Sequence, residues 1–178
     1  MKNSKTIHLI RHFKVLDEKR RFYNSKEIDE WVKRYDVSDL EFIEVAVPKH
    51  SISFTSSLSR AKRSADYMRL EYESLPLFDE VSTKAFIDTK LRLPIWLWLG
   101  LGRILWMLDL VKKSENRSIS VKRAKEAASF LIDLKEKDIV VVTHGFFMIL
   151  LQRELKKSGF KGEFDSHPKN AKVYTFKS

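Results

Sequence analysis

Cysteine is absent from the 178 residues, which excludes disulfide cross-links, thiolate catalysis and zinc-thiolate sites and fits a reducing, cytoplasmic setting. A membrane span is lacking too. Spanning takes about 20 predominantly apolar residues, whereas the most apolar stretch, 93–108, is interrupted by Pro94, Gly100, Gly102 and Arg103 and meets Asp109 directly after it. Secretory-signal character is missing at the start, because the apolar residues 7–10 run straight into Arg11. Internal repeats, low-complexity tracts and interdomain linkers are missing as well, so 1–178 reads as one domain, long enough to bury a core. The five histidines are scattered, and neither a metal nor a cofactor is expected. What the chain has in excess is positive charge: 34 Lys and Arg against 24 Asp and Glu, a net +10. Such a balance raises encounter rates with phosphorylated molecules, nucleic acid or an acidic membrane. No zinc finger, RNP-like aromatic pattern or helix-turn-helix accompanies it, so no nucleic-acid partner is expected.

Two segments carry most of the information. Ile7-His8-Leu9-Ile10-Arg11-His12 and Val140-Val141-Val142-Thr143-His144-Gly145 are apolar runs rich in β-branched residues that stop at a polar histidine. Continuous apolar runs suit strands buried on both faces of a parallel sheet, and such sheets bind ligands beyond the carboxyl ends of their strands. Strands are predicted over 6–11, 51–55, 74–78, 138–143 and 172–176. Helices are predicted over 25–35 with Ser25 as N-cap, over 58–71 capped by Ser56 and Ser57, over 120–136 and over 146–157. Their alternation predicts a layered α/β domain.

Three of the strand ends bear groups suited to phosphate. A neutral imidazole at His12 can attack phosphorus directly. Arg11 beside it would grip phosphoryl oxygens through charge-assisted hydrogen bonds and disfavour the imidazolium form. Arg60 falls in the first turn of a predicted helix, where the macrodipole penalises a cation by about 0.3–1 kcal/mol. Either an anion binds there or the side chain is solvated with its neighbours Lys62 and Arg63. His144 lies where a strand turns through Gly145, which permits a tight turn or a close backbone approach, into a helix. Taken singly, either histidine also suits a strand-end or turn position that merely hydrogen-bonds locally. Together the three sites point to an oxyanion pocket.

With these residues in order, the chain resembles the histidine phosphatase superfamily, the phosphoglycerate-mutase-like proteins, over nearly its whole length. The Arg-His-Gly signature corresponds to Arg11-His12-Phe13, and the family's serine-rich segment ending in Arg-Ala to Ser56-Ser57-Leu58-Ser59-Arg60-Ala61. The late Ser/Thr-His-Gly corresponds to Thr143-His144-Gly145. The resemblance implies a three-layer sandwich with a mostly parallel central sheet and helices on both faces. It implies a phosphate pocket of Arg11, His12, Arg60 and His144 with His12 as nucleophile, and an acidic proton donor just after the third strand. Glu80 is the choice there and Asp79 the alternative. Two departures stand out. Phe13 replaces the signature glycine, which predicts a reshaped pocket floor. Lys14-Val15-Leu16-Asp17-Glu18 replaces the acid-threonine-x-x-asparagine run that contacts small substrates.

The implied activity is metal-independent hydrolysis of a phosphomonoester, carried by a small molecule or a peptide, through a phosphohistidine on His12. The other class of function is a catalytically weak phosphate-binding module for a phosphorylated protein or RNA. The tryptophan-rich stretch 93–108 admits three readings: a helix packed on the core, a lid whose Trp96, Trp98 and Trp106 touch an apolar part of the substrate, or a patch at a membrane surface. Oligomeric state is not legible.

Overall fold

The computed structural model describes residues 4–48, 51–82, 84–111 and 115–178. In chain order the elements are β1 (Thr6–Arg11), β2 (Lys14–Val15), β3 (Phe22–Tyr23), α1 (Ser25–Val37), β4 (Leu40–Glu41), β5 (Ile52–Thr55), α2 (Ser59–Tyr67) and β6 (Tyr72–Ser74). A 3₁₀ turn (Pro76–Phe78) follows, then β7 (Leu93–Pro94), α3 (Ile95–Met107), α4 (Arg117–Asp133), β8 (Asp138–Thr143), α5 (Gly145–Lys157), β9 (Lys161–Gly162) and β10 (Val173–Lys177).

Six strands form the central sheet in the order β6-β5-β8-β1-β10-β9. β6, β5, β8 and β1 run parallel, and β10 closes antiparallel on β1. Strand alternation sends Ile7, Leu9, Ile139 and Val141 to one face, where they pack with Leu131 of α4 and Phe147 and Leu151 of α5. Ile10, Val140 and Val142 face the other way, against Ala61 and Ala65 of α2. The result is the expected three-layer α/β sandwich. A third cluster, Tyr23, Ile28, Trp31, Ala85 and Trp98, joins α1 to α3.

Register positions the site. Arg11 pairs level with Thr143, and Thr55 with Val142, so β1, β5 and β8 end side by side. The amide of His12 donates to Thr143 O (3.0 Å) and that of Ser56 to Val142 O (3.0 Å), which carries the alignment one residue beyond each strand.

Local differences from the sequence expectations have local causes. The N-cap of α1 is Asn24 rather than Ser25: Asn24 Oδ1 accepts from Glu27 N while Glu27 Oε2 accepts from Asn24 N, a reciprocal capping box. Ser25 Oγ donates instead to Thr89 O. The third strand lies at 72–74 rather than 74–78. Pro76, which has no N–H for a ladder bond and a fixed φ, starts the 3₁₀ turn there. The pairs β2–β4 and β3–β7 are two residues long and had no sequence signature.

Candidate active site

His12 is 2 % exposed, directly beyond β1. Its Nδ1 lies 2.7 Å from Phe13 O. A carbonyl only accepts, so Nδ1 carries the ring hydrogen and Nε2 keeps its lone pair. Arg60 Nε donates to that lone pair at 3.3 Å. Burial, then the Arg60 charge, push the His12 pKa down to about 3; the hydrogen bond to Phe13 O opposes them, and Arg11 adds a lesser push downward. The ring is therefore neutral and oriented at any ordinary pH. Asn170 Nδ2 fixes the backbone by donating to His12 O (2.7 Å).

His144 is the N-cap residue of α5 and is fully buried, its ring centroid 5.1 Å from that of His12. Its tautomer also follows from its partners. Ser56 Oγ donates to the Asp79 carboxylate (2.7 Å) and has no second hydrogen. At 2.7 Å from His144 Nε2 it must then accept, so Nε2 bears the hydrogen. Nδ1 of His144 has no protein partner among the described residues, and neither does buried Arg11 Nε. Burial first, then the charge of Arg60 and those of Arg11 and Arg123, hold His144 well below the usual imidazole range.

Arg11 Nη1 donates to Pro168 O (2.9 Å), and its guanidinium lies close against Gly145 at the start of α5. A Cβ on Gly145 would stand 3.0 Å from Arg11 Cζ and 3.1 Å from Nε, so the glycine lets the guanidinium approach this closely without shifting. Arg60 is held by Asp36: Nη1 to Oδ1 at 2.9 Å, the same carboxylate accepting from Ser59 N and Arg60 N at the start of α2. The anion expected at this helix N-terminus is thus supplied by the chain itself. That offsets the dipole penalty on Arg60. Ser56 and Ser57 do not cap α2 as expected. Leu58 is its N-cap, with Leu58 N donating back to Ser56 Oγ.

The two candidate acids have separate fates. Asp79 takes Ser56 Oγ, Ser57 N and Ser57 Oγ at 2.6–2.7 Å, which makes it the support behind His144. Glu80 accepts from Phe146 N (3.2 Å) and Phe147 N (2.9 Å), in the first turn of α5 and within one turn of His144. Arg123 donates to Leu77 O and Asp79 O, and Thr143 Oγ1 to Phe78 O, which fixes the loop bearing both acids.

The structure therefore brings Arg11, His12, Arg60, His144 and Glu80 to one end of the sheet. Phe13 does not reshape the pocket floor with its ring. The ring turns away, edge-on to Phe42 and Tyr67 (5.3 and 5.4 Å) and packed with Val15, Leu40 and Ala171, while Phe13 N donates to Ser64 Oγ. Sequence reasoning missed Asp36, Tyr35 (its ring 5.5 Å from the Arg60 guanidinium), Asn170 and Arg103. The first two sit in an ordinary helical end, and no local pattern distinguishes any of the four. Arg103 of α3 stacks 3.6 Å over the Phe146 ring; burial lowers its pKa, and the Glu80 carboxylate opposes that. Of the tryptophans proposed as lid contacts, Trp98 donates to Tyr23 O and Trp106 to Ser120 Oγ, both buried in packed clusters. Neither ring is free to lie on a substrate.

Neither a protein-family model nor a curated protein matches this sequence. Solved structures do match its fold. The phosphoglycerate mutase of Bacillus anthracis str. Sterne superposes with a TM-score of 0.60 at 16 % identity, covering 99 % of this chain and 88 % of that one. A mycobacterial glucosyl-3-phosphoglycerate phosphatase gives 0.54 at 15 % identity over 86 % and 80 %. The product of the Mycobacterium tuberculosis open reading frame Rv3214 gives 0.61 at 13 % identity over 96 % and 90 %. The fold is phosphoglycerate-mutase-like, as the motif resemblance implied.

Proposed function

We propose that this protein is a phosphatase that hydrolyses a phosphomonoester through a phosphohistidine on His12. The observation that carries the reading is the state of His12: neutral, with Nδ1–H bonded to a carbonyl and the Nε2 lone pair turned toward Arg60. In the first step Nε2 bonds to phosphorus in line as the ester P–O bond breaks, and Glu80 gives the leaving oxygen its proton. Arg11, Arg60 and His144 stabilise the equatorial oxygens as charge spreads onto them. In the second, Glu80 takes a proton from water, the water oxygen bonds to phosphorus, and the Nε2–P bond breaks to release inorganic phosphate.

The two unpartnered buried atoms support an oxyanion pocket. Arg11 Nε–H is a donor awaiting an acceptor. His144 Nδ1 becomes a donor on taking up a proton, which a bound phosphate favours by opposing the cations that hold the empty ring neutral. Binding of phosphate is then accompanied by proton uptake. The fold neighbours include a phosphatase and a mutase. Hydrolysis is preferred because the run that would contact a small acid is replaced by 14–18.

The test is p-nitrophenyl phosphate turnover in excess EDTA by the natural protein and by His12→Ala. Turnover that survives EDTA and is lost in His12→Ala is expected. Phosphate binding without turnover in the natural protein would instead assign a phosphate-binding module.

A further inference from the structure

α3 reads Ile-Trp-Leu-Trp-Leu-Gly-Leu-Gly-Arg-Ile-Leu-Trp-Met, apolar on every side, the pattern of a helix buried all round. Among the described residues only one side is covered. Trp98 and Trp106 point inward, and the inner side also carries Arg103 on Phe146. On the outer side Trp96, Gly100, Ile104 and Met107 follow at spacings of four, four and three, which makes a single stripe. Trp96, Ile104 and Met107 are 69 %, 52 % and 62 % exposed, and Leu108 adjoins them at 62 %. A contiguous exposed apolar stripe of this kind marks an interaction surface.

Charge says what covers it. The β3–β7 ladder sets Phe22 against Pro94, and Ile95 N donates to Arg21 O. Exposed Arg20 and Arg21 therefore stand at the N-terminal end of α3, followed in the chain by half-exposed Phe22, while exposed Lys90 and Leu91 lead, through Arg92 with its charge paired to Glu27, into β7. α3 contains no carboxylate. A second copy of the chain, itself at net +10, would press like charges together. An anionic lipid surface offers the complement to both features: acidic headgroups for the basic end, and the headgroup–acyl boundary for tryptophan and aliphatic side chains.

We propose that the outer face of α3, with the basic residues at its N-terminal end, docks this protein on an anionic lipid surface. The inference is independent of hydrolysis. It places the Phe146 end of the pocket about one helix diameter, roughly 10 Å, from the surface.

The test is co-sedimentation with vesicles of phosphatidylcholine alone or with about one-third phosphatidylserine at moderate salt. The natural protein should bind the acidic vesicles at least about tenfold more tightly than the neutral ones. The triple variant Trp96→Gln, Ile104→Gln, Met107→Gln should lose about tenfold or more of that affinity. Arg20→Gln with Arg21→Gln should lose roughly fivefold per charge. Far-UV circular dichroism and thermal melting confirm that the variants are folded, whether or not the protein proves to be a phosphatase. No binding by the natural protein, equal binding of both vesicle types, or undiminished binding by the triple variant overturns the proposal. Self-association that the triple variant abolishes, without vesicle binding, overturns it in favour of a second copy.

Discussion

The pocket at the strand ends and the helix α3 stand next to each other and are built on opposite principles. In the pocket nearly every polar group is held from several directions: Arg60 by Asp36, Arg11 by Pro168 O and the bare backbone of Gly145, His144 by Ser56 and, through it, Asp79. α3 is held by two inward tryptophans and an arginine stacked on Phe146, with its outer side uncovered by the described residues. Chemistry on phosphorus needs groups fixed within a few tenths of an ångström, and charged hydrogen bonds supply that directionality. Adhesion to an apolar boundary needs only area, because the hydrophobic effect is non-directional.

The largest effect should come from the pocket. His12→Ala is expected to lose about 10⁴-fold or more of aryl-phosphate turnover in steady-state assays, whereas Trp96→Gln should leave it unchanged. Within α3 the contrast is between two tryptophans two residues apart. Trp98→Ala should cost about 3–5 kcal/mol in urea unfolding, and Trp96→Ala no more than about 0.5 kcal/mol. Equal costs would mean that the outer stripe is covered after all.

Next comes the separation of the two acids. Glu80→Gln should lower kcat on an alkyl phosphate by about 10²–10³-fold, and less on p-nitrophenyl phosphate, whose leaving group needs little protonation. Asp79→Asn should act chiefly on stability, by about 1–3 kcal/mol, through the bonds to Ser56 and Ser57. A leaving-group dependence that followed Asp79 would exchange their roles.

Another contrast is graded with pH. The folded protein holds His12 at about 3, below the 6.5 of a free histidine. Between these values the unfolded chain binds a proton that the native state refuses. The stability contribution is therefore complete above about pH 6.5 and is lost as pH falls toward 3, by about 1.4 kcal/mol per unit. His144 acts with the same sign. Denaturant melts across this window should show a shallower slope for His12→Asn. The smallest effect is expected of Gly145→Ala, whose methyl would press on Arg11 and raise KM by about tenfold or less. An unchanged KM would show that Arg11 moves aside at no cost.

Much of the fold was legible because buried parallel strands announce themselves. β1 and β8 match their predicted bounds, since an unbroken β-branched run has no other comfortable home. Boundaries set by competition between adjacent residues were less legible: Asn24 against Ser25 for one cap, Pro76 against continuation of a strand. The residues supplied at three strand ends (Arg11 and His12, Arg60, His144) were visible as types in order, because the proposed chemistry on phosphate limits the side chains that suit it.

The sequence by itself determined the layered α/β fold, the strand ends that matter and the character of the groups placed there. Those properties are carried by hydropathy and residue type, which act locally. Only the tertiary structure decided the rest: that Asp36 is the partner of Arg60, that Asp79 supports His144 while Glu80 caps α5, and that the Phe13 ring turns away. It also decided which side of α3 is covered. These depend on parallel register and helix rotation, which bring together side chains far apart in the chain, and no run of neighbouring residues encodes such distances.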